Sequence, residues 1–426
     1  MLRVPTIREE KDRIIKGLKI RNYPQEALSI VDDIIALDDQ RKHIQTTLDE
    51  LLSNNKRLSK TIGDYYKQGK RTEAEALKQE VAQGKEKTKA LQQQLNEIGE
   101  KLELSLLSLP NTAQEIVPPG RTDEDNVVFK EWEGDLPELG SDAEAHWDLA
   151  KRYGLIDFEL GAKITGAGFP LFRGQGARLQ RALINFFLSE AAAAGYEEIV
   201  PPLLVNEASA RGTGQLPDKE GQMYYVEKDD LYLIPTAEVP VTNIYRDVIV
   251  DEAELPIKLT GYTPCFRREA GAYGKEVRGL NRVHQFDKIE IVQIQHPDRS
   301  NESLHEMIGH VENLLQQLGL PYRILRLCGG DLGFASAITY DFEVYSAAQK
   351  RWLEVSSISN FESFQSNRMK LRYRDSERKN HLVHTLNGSA LALARIIAAL
   401  LENNQKADGI VIPKVLQMYT GFDKIQ

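Results

Sequence analysis

Cysteine is nearly absent: only Cys265 and Cys328 occur among 426 residues. Two isolated cysteines make no disulfide framework and, without paired histidines, no structural zinc site; both are expected to be plain core residues. No stretch reaches the roughly 18 to 20 uninterrupted apolar residues of a membrane span, and the start MLRVPTIREEKD lacks the apolar segment of a signal peptide. A cytoplasmic protein with no membrane partner is expected. Neither G-x-x-x-x-G-K-[ST] nor G-x-G-x-x-G occurs, which excludes the P-loop and Rossmann fingerprints, so any nucleotide must be held another way. Positive charge is also short, with 54 Lys+Arg against 63 Asp+Glu and a net charge of -9, which taken whole argues against a polyanionic partner.

The distribution of charge weakens that argument. Residues 1–110 carry 20 Lys+Arg against 18 Asp+Glu, and 53–89 carry 10 against 5. Lys56, Arg57, Lys60, Lys67, Lys70 and Arg71 cluster there, a pattern that fits a solvated helix face or a nucleic-acid contact. The same region has a strict hydrophobic period. From Ile30, positions 30, 34, 37, 41, 44, 48, 51, 55, 58, 62 and 65 alternate steps of four and three, and only Arg41 and Asn55 among them are neither apolar nor aromatic. A second seam runs through Leu77, Val81, Gly84, Thr88, Leu91, Leu95, Ile98 and Leu102, after the polar break 68–72. Two helices of about 37 residues, each reaching roughly 55 Å, are expected to fold back on each other as an antiparallel coiled-coil hairpin over about 30–105, with the basic cluster around its far tip. A hairpin of this kind also serves for oligomerisation; its short turn favours pairing within the chain.

Leu109-Pro110-Asn111 and Val117-Pro118-Pro119-Gly120 mark a boundary, giving expected domains 1–110 and 111–426. In the second, strands are expected at 198–204, 231–234, 257–262, 288–294, 322–327, 340–345 and 352–357, and helices at 175–195, 298–318 and 388–404. Many strands with hairpin-like turns and no regular strand-helix repeat predict an antiparallel sheet in an α+β domain.

Two clusters carry chemistry. Phe266-Arg267-Arg268-Glu269 leads through Gly271-Ala272-Tyr273-Gly274 to His284-Gln285-Phe286-Asp287-Lys288-Ile289-Glu290. An Arg at a strand end grips phosphate bidentately, and a Phe on the returning strand stacks on a base; alone, the alternation of Arg and Glu fits a surface ion pair as well. The run Leu386-Asn387-Gly388-Ser389-Ala390 precedes an apolar, Ala-rich helix, 391–401, bearing Arg395. A buried Arg needs an anionic partner, which a protein carboxylate or a ligand phosphate supplies.

Together these clusters resemble the class II aminoacyl-tRNA synthetases: Arg267 with Glu269 is similar to their motif 2, Gly388 to Arg395 to motif 3, and the helix 176–195 with Val200-Pro201-Pro202 to motif 1, its proline at Pro202. Gly212-Thr213-Gly214-Gln215-Leu216-Pro217, Pro235-Thr236-Ala237-Glu238, Glu354-Val355-Ser356-Ser357 and His384-Thr385-Leu386-Asn387-Gly388-Ser389 resemble the seryl-tRNA synthetase family of the bacterial type, over the whole chain and arm included. The resemblance implies a class II antiparallel sheet flanked by helices behind the coiled-coil arm. It implies that ATP is held by Arg267, Arg268, Glu269, Val283, Phe286, Glu354, Val355, Ser356, Ser357 and Arg395, with Phe286 on adenine and Arg267 and Arg395 as the catalytic arginines on phosphate. Glu354 and Ser357 are assigned Mg2+, and Thr236, Ala237, Glu238, Glu290, Asn387 and Ser389 the L-serine pocket. By the same likeness the chain joins serine to tRNA(Ser), with tRNA(Sec) a second candidate acceptor, reads tRNA with its arm, and forms a homodimer through motif 1. In motif 3 this chain has Ala at two positions where relatives often have Gly; the added methyl groups are expected to tighten helix packing.

Prolyl- and threonyl-tRNA synthetases share the catalytic plan but are expected to continue into an anticodon-binding domain, whereas 31 residues follow Arg395. A serine-activating relative acting on a non-tRNA carrier is the alternative of a different class; it is expected to lack the arm or the motif arginines.

Overall fold

The computed structural model describes residues 1–218, 221–269 and 278–426, so the run Gly271-Ala272-Tyr273-Gly274 lies outside the described residues. The chain divides into two compact units, Met1–Lys19 with Tyr23–Pro110, and Ile20–Asn22 with Asn111–Gln426.

In the first unit, helices α1 (Val4–Glu9) and α2 (Lys11–Ile20) precede two helices of 38 residues each, α3 (Ile30–Lys67) and α4 (Arg71–Ser108). The turn between α3 and α4 is shorter than the polar break in the sequence, because Arg71 and Thr72 are already helical. Gly69 turns the chain at φ 78°, a conformation that costs a residue with a Cβ and not glycine. Every seam position of both helices is buried or half-buried, as a two-helix pairing requires.

The exceptions in the seams explain each other. Arg41 bonds Asp38 at 2.9 Å, and this carboxylate, 3% exposed, also receives Lys42 at 2.7 Å and Arg8 at 3.4 Å. Asn55 faces Gly84 so closely that a Cβ on Gly84 would lie 2.2 Å from the Asn55 Oδ1. One seam's polar side chain thus fills the space the other seam's glycine leaves.

The second unit is built on an eight-stranded sheet. In chain order its strands are β1 (Val127–Glu131), β2 (Glu197–Glu198), β3 (Ile257–Phe266), β4 (Gln285–Gln295), β5 (Tyr322–Arg326), β6 (Ile338–Ser346), β7 (Arg351–Asn360) and β8 (His384–Ala392). They lie in the order β1-β5-β6-β7-β8-β4-β3-β2, antiparallel throughout except for the parallel pair β2 and β3. Helices α5 (Gly174–Ala193), α6 (Ser300–Leu318) and α7 (Leu393–Asn403) share one core with the sheet, through Leu183, Phe187, Met307, Val311, Ile396 and Ile397 against Ile289, Ile291, Tyr340, Phe342, Leu386 and Ala390.

Since side chains alternate along a strand, these core positions fix what the other face carries. Lys288 and Glu290 interleave with Ile289 and Ile291, Asp341 lies between Tyr340 and Phe342, and Asn387 and Ser389 flank Gly388. That second face is the polar one.

Two expected elements differ. The strand expected at 198–204 is cut short: only Glu197 and Glu198 pair with β3, and Leu204–Asn206 joins a separate three-stranded sheet. Pro201 and Pro202 lack the amide that a ladder needs. The helix expected at 388–404 starts only at Leu393, because 384–392 pair with β4 on one side and β7 on the other. The alanines after Gly388 up to Ala392 therefore belong to a strand, not to helix packing. Gly388 itself has Ile358 where a Cβ would go, at 2.7 Å from Cγ1.

Candidate active site

Register across the sheet assembles the site. Glu290 lies opposite Ser389, and Asp341 opposite Ser357, while Ser357 and Ser389 adjoin the pair Ile358 and Gly388. A row of polar side chains thus crosses β6, β7, β8 and β4.

At the β4 end the row meets a buried cluster of charge. Lys288, Glu290, Thr236 and Glu238 are 5%, 2%, 5% and 8% exposed. The Lys288 Nζ stands 2.5 Å from Glu290 Oε2 and donates to Thr236 Oγ1 at 2.8 Å. Thr236 donates to the same Glu290 Oε2 at 3.1 Å and accepts the Glu238 amide at 3.2 Å. Glu238 opens the short helix Glu238–Asn243 after the buried Ala237. Gln365 donates to Glu238 Oε1 at 2.6 Å, and its own carbonyl is held by Thr385 at 2.7 Å. Burial, then the Glu290 charge, push the Glu238 carboxyl up to about 7. Asn387 turns its amide toward the same carboxyl and counters part of that rise, its buried Nδ2 stopping short of a full hydrogen bond.

The β3–β4 hairpin carries a second group. The Arg267 guanidinium lies over the Phe286 ring, 5.3 Å from its centroid, with Nε donating to the Pro235 carbonyl at 3.3 Å. Val283 is buried in the core. Arg268 is exposed and its amide bonds the Gln222 carbonyl at 2.9 Å. Glu269 has φ 48° and pairs with Arg282.

Arg395, expected to be buried, keeps 30% of its side chain exposed. Its Nε donates to the Asn281 carbonyl at 2.9 Å and its Nη1 to the Glu354 carbonyl at 2.7 Å, with the Glu354 carboxylate 3.7 Å away. Behind Asn281 stands a fully buried network. His146 Nε2 accepts the Leu280 amide at 2.9 Å, so its Nδ1 proton goes to Glu402 at 2.7 Å. Burial alone raises the Glu402 carboxyl, but hydrogen bonds from His146 and Ser346 hold it below its ordinary value.

Of the run 354–357, only Glu354 and Ser357 are not buried. Val355 packs in the core and the Ser356 hydroxyl donates to the Ser389 carbonyl at 2.5 Å, so the backbone is what these two offer a ligand. Asp341 adds a feature that the sequence did not reveal. Burial, then the Glu354 charge, push its carboxyl well above the ordinary range, the Ser357 hydroxyl opposes this, and its Oδ1 is buried without a partner. Two carboxyl groups and a hydroxyl make an oxygen-only donor set, the kind that a hard cation such as Mg2+ would take.

The arm residues lie elsewhere, in the first unit. Lys56, Arg57, Lys60, Lys67, Lys70 and Arg71 are all exposed. Arg57 bonds Asn54 at 2.9 Å, Lys67 stands 3.8 Å from Asp64, and Lys70 lies 5.6 Å from the Tyr65 centroid.

Sequence reasoning missed Lys288, Gln365 and Asp341. Lys288 had a readable signal, since it sits midway between Phe286 and Glu290 and a period of two places all three on one face. Gln365, from a separate helix (Phe364–Met369), had none.

Known proteins resemble this chain over its whole length. Residues 224–404 match the tRNA synthetase class II core domain (G, H, P, S and T), and residues 1–113 match the seryl-tRNA synthetase N-terminal domain. The serine–tRNA ligase of Salinibacter ruber is 48% identical over 427 residues, 100% of this chain and 99% of the relative. The crystal structure of seryl-tRNA synthetase from Pyrococcus horikoshii complexed with ATP superposes with a TM-score of 0.91 at 34% identity, covering 100% of this chain and 99% of that one. Cytoplasmic serine–tRNA ligase from Naegleria fowleri in complex with AMP gives 0.87 at 28% identity, with the same coverage.

Proposed function

The chain belongs to the serine–tRNA ligase family, and we propose that it activates L-serine with ATP and passes the seryl group to the 3′ end of tRNA(Ser), with tRNA(Sec) a second acceptor. The observation that carries this reading is the β3–β4 hairpin: β4 carries Phe286 and the buried Lys288–Glu290 pair along one face, and Arg267, directly after β3, lies over the Phe286 ring. One end suits a nucleotide, the other a small zwitterion with a hydroxyl.

The ammonium of serine goes to Glu238 and its hydroxyl to Glu290, with Thr236, Asn387 and Ser389 completing the pocket around the backbone of Ala237. Phe286 stacks on adenine, Val283 lines that pocket, Arg268 and Glu269 lie at its edge, and Arg267 and Arg395 meet the phosphates. Glu354 and Ser357 hold Mg2+ beside the backbone of Val355 and Ser356; when bound, the ion offsets phosphate charge. No side-chain nucleophile is required. A serine carboxylate oxygen bonds to the α-phosphorus as the bond to pyrophosphate breaks, and positioning with charge stabilisation supplies the rate. In the second step a terminal ribose hydroxyl of tRNA attacks the adenylate carbonyl and AMP leaves.

The arm contacts tRNA through Lys56, Arg57, Lys60, Lys67, Lys70 and Arg71, and the N-terminal match over 1–113 speaks against a carrier-protein acceptor. A homodimer through the motif 1 segment completes the proposal, motivated by Val200, 88% exposed beside Pro201 and Pro202; light scattering after gel filtration checks it. ATP–pyrophosphate exchange measured with each of the twenty amino acids tests the whole reading. Exchange with serine alone is expected, and exchange driven by threonine or proline overturns it.

A further inference from the structure

Lys288 stands at the centre of the buried cluster, and no step of serine activation described above uses it. A buried ammonium is costly unless fully paired. Here it is paired with great economy: its contacts are Glu290 Oε2 and Thr236 Oγ1. Thr236 also donates to Glu290 Oε2. Both donors therefore converge on the same carboxylate oxygen, and Glu290 Oε1 has no hydrogen-bond partner among the described residues.

From this geometry we infer that Lys288 is a positioning residue that gives the pocket its preference for a hydroxylated amino acid. It does so in two ways. It locks Glu290 with Oε1 presented as a free acceptor, the partner that a serine hydroxyl finds and alanine lacks. It also neutralises Glu290, so that of the two pocket carboxylates only Glu238 is left to take the substrate ammonium. With both carboxylates ionised, Lys288 brings the pocket to a single negative charge, matched to one ammonium. Without Lys288, Glu290 competes with Glu238 for the ammonium and is no longer reserved for the hydroxyl. The groups facing Glu238 support this division: Glu290 and Lys288 from β4 are the charged ones, while Gln215, Gln365 and Asn387 are neutral, and of the two charges Glu290 raises the Glu238 carboxyl and Lys288 lowers it.

The inference rests on the proposed serine activation and is tested apart from it. Exchange rates with serine and with alanine are measured for the wild type, Lys288→Met, Lys288→Arg, Glu290→Gln and the double variant Lys288→Met/Glu290→Gln, across pH and with ATP varied. Wild-type exchange that does not depend on serine sinks the proposed function. With serine-dependent exchange established, Lys288→Met is expected to raise the serine KM by about tenfold or more while shifting the ATP KM by less than about threefold, the size of one charge-assisted hydrogen bond. The ratio of serine to alanine kcat/KM falls by a similar factor, the acidic limb of serine kcat/KM moves to higher pH, and Lys288→Arg restores part of the ratio. Should Lys288→Met fail to fold because Glu290 is left unpaired, the double variant, whose two groups are neutral, decides. Its serine-to-alanine ratio is expected to equal that of Glu290→Gln alone, because Lys288 acts through Glu290. Equal losses for serine and ATP, an unchanged ratio, or a further fall in the double variant overturns the inference.

Discussion

The two units use charge in opposite ways. On the arm the six basic residues between Lys56 and Arg71 are exposed, and ion pairs there, such as Lys67 with Asp64 at 3.8 Å, are screened and worth little. In the catalytic unit Lys288, Glu290 and Glu238 are at most 8% exposed. Where water is present, charge acts by number, so contributions add and salt weakens them. Where water is excluded, charge acts by pairing and orientation, so contributions couple and pH controls them.

The strongest way to test that contrast is to remove one unit's function and read the other. Deleting residues 30–105 is expected to leave serine-dependent pyrophosphate exchange within a few-fold of the intact chain while tRNA charging falls by about 10³-fold or more, the scale of a binding face that spans several phosphates. Charging that survives the deletion gives the arm another job. In the pocket, Glu290→Ala or Ser389→Ala removes a polar partner of serine. For Glu290→Ala a loss of about 10² to 10³ in serine kcat/KM is expected, because Lys288 is left buried and unpaired as well; exchange kinetics at normal rates dissolve the pocket assignment.

Smaller effects sharpen the comparison. The Glu238 carboxyl titrates at about 7, above its usual range through burial and Glu290. As pH falls through that value it gains a proton and loses the charge that pairs with ammonium. The serine KM is therefore expected to rise by up to about tenfold per pH unit below 7, with the ATP KM flat; a serine KM independent of pH from 6 to 8 contradicts the role of Glu238. On the arm, Lys56→Ala, Arg57→Ala and Lys60→Ala combined should weaken tRNA binding additively, lowering the slope of log affinity against log salt by about 0.7 to 0.9 for each phosphate that is no longer neutralised. A slope that does not change moves the RNA-binding face elsewhere on the chain.

The same contrast explains what could be read in advance. The coiled-coil seam was legible because burial there depends on spacing alone, and a heptad pattern is visible in one dimension. Strands β3 to β7 were legible in kind for the same reason, although β3 and β4 run further than apolar content suggests, since Cys265 and Gln285 continue the ladder. Residues 388–392 read as helix because Ala and Leu favour helices, and only the ladders from both neighbouring strands overrule that preference. The pocket's supports were the least legible. Gln365 reaches Glu238 across 127 positions of sequence, and Asp341 meets Ser357 only through strand register; tertiary partners of that kind leave no local pattern.

The smallest expected effect lies where the arm departs from its own rule, at Gly84. Replacing a helix-interior glycine by alanine ordinarily stabilises a helix by about 1 kcal/mol. Here the new methyl meets the Asn55 Oδ1 at 2.2 Å. That atom ends a flexible side chain, so the clash is relieved when Asn55 rotates out of the seam, at a cost close to the gain. Gly84→Ala alone should therefore leave the local stability of the arm within about 0.5 kcal/mol of the parent, while Gly84→Ala with Asn55→Ala should raise it by about 1 kcal/mol. Hydrogen exchange of the amides around 80–90 reads this directly, because it reports opening of the arm separately from the catalytic unit. A single Gly84→Ala variant that protects these amides as well as the double shows that Asn55 does not occupy the seam, and that the glycine is there for helix bending instead of register.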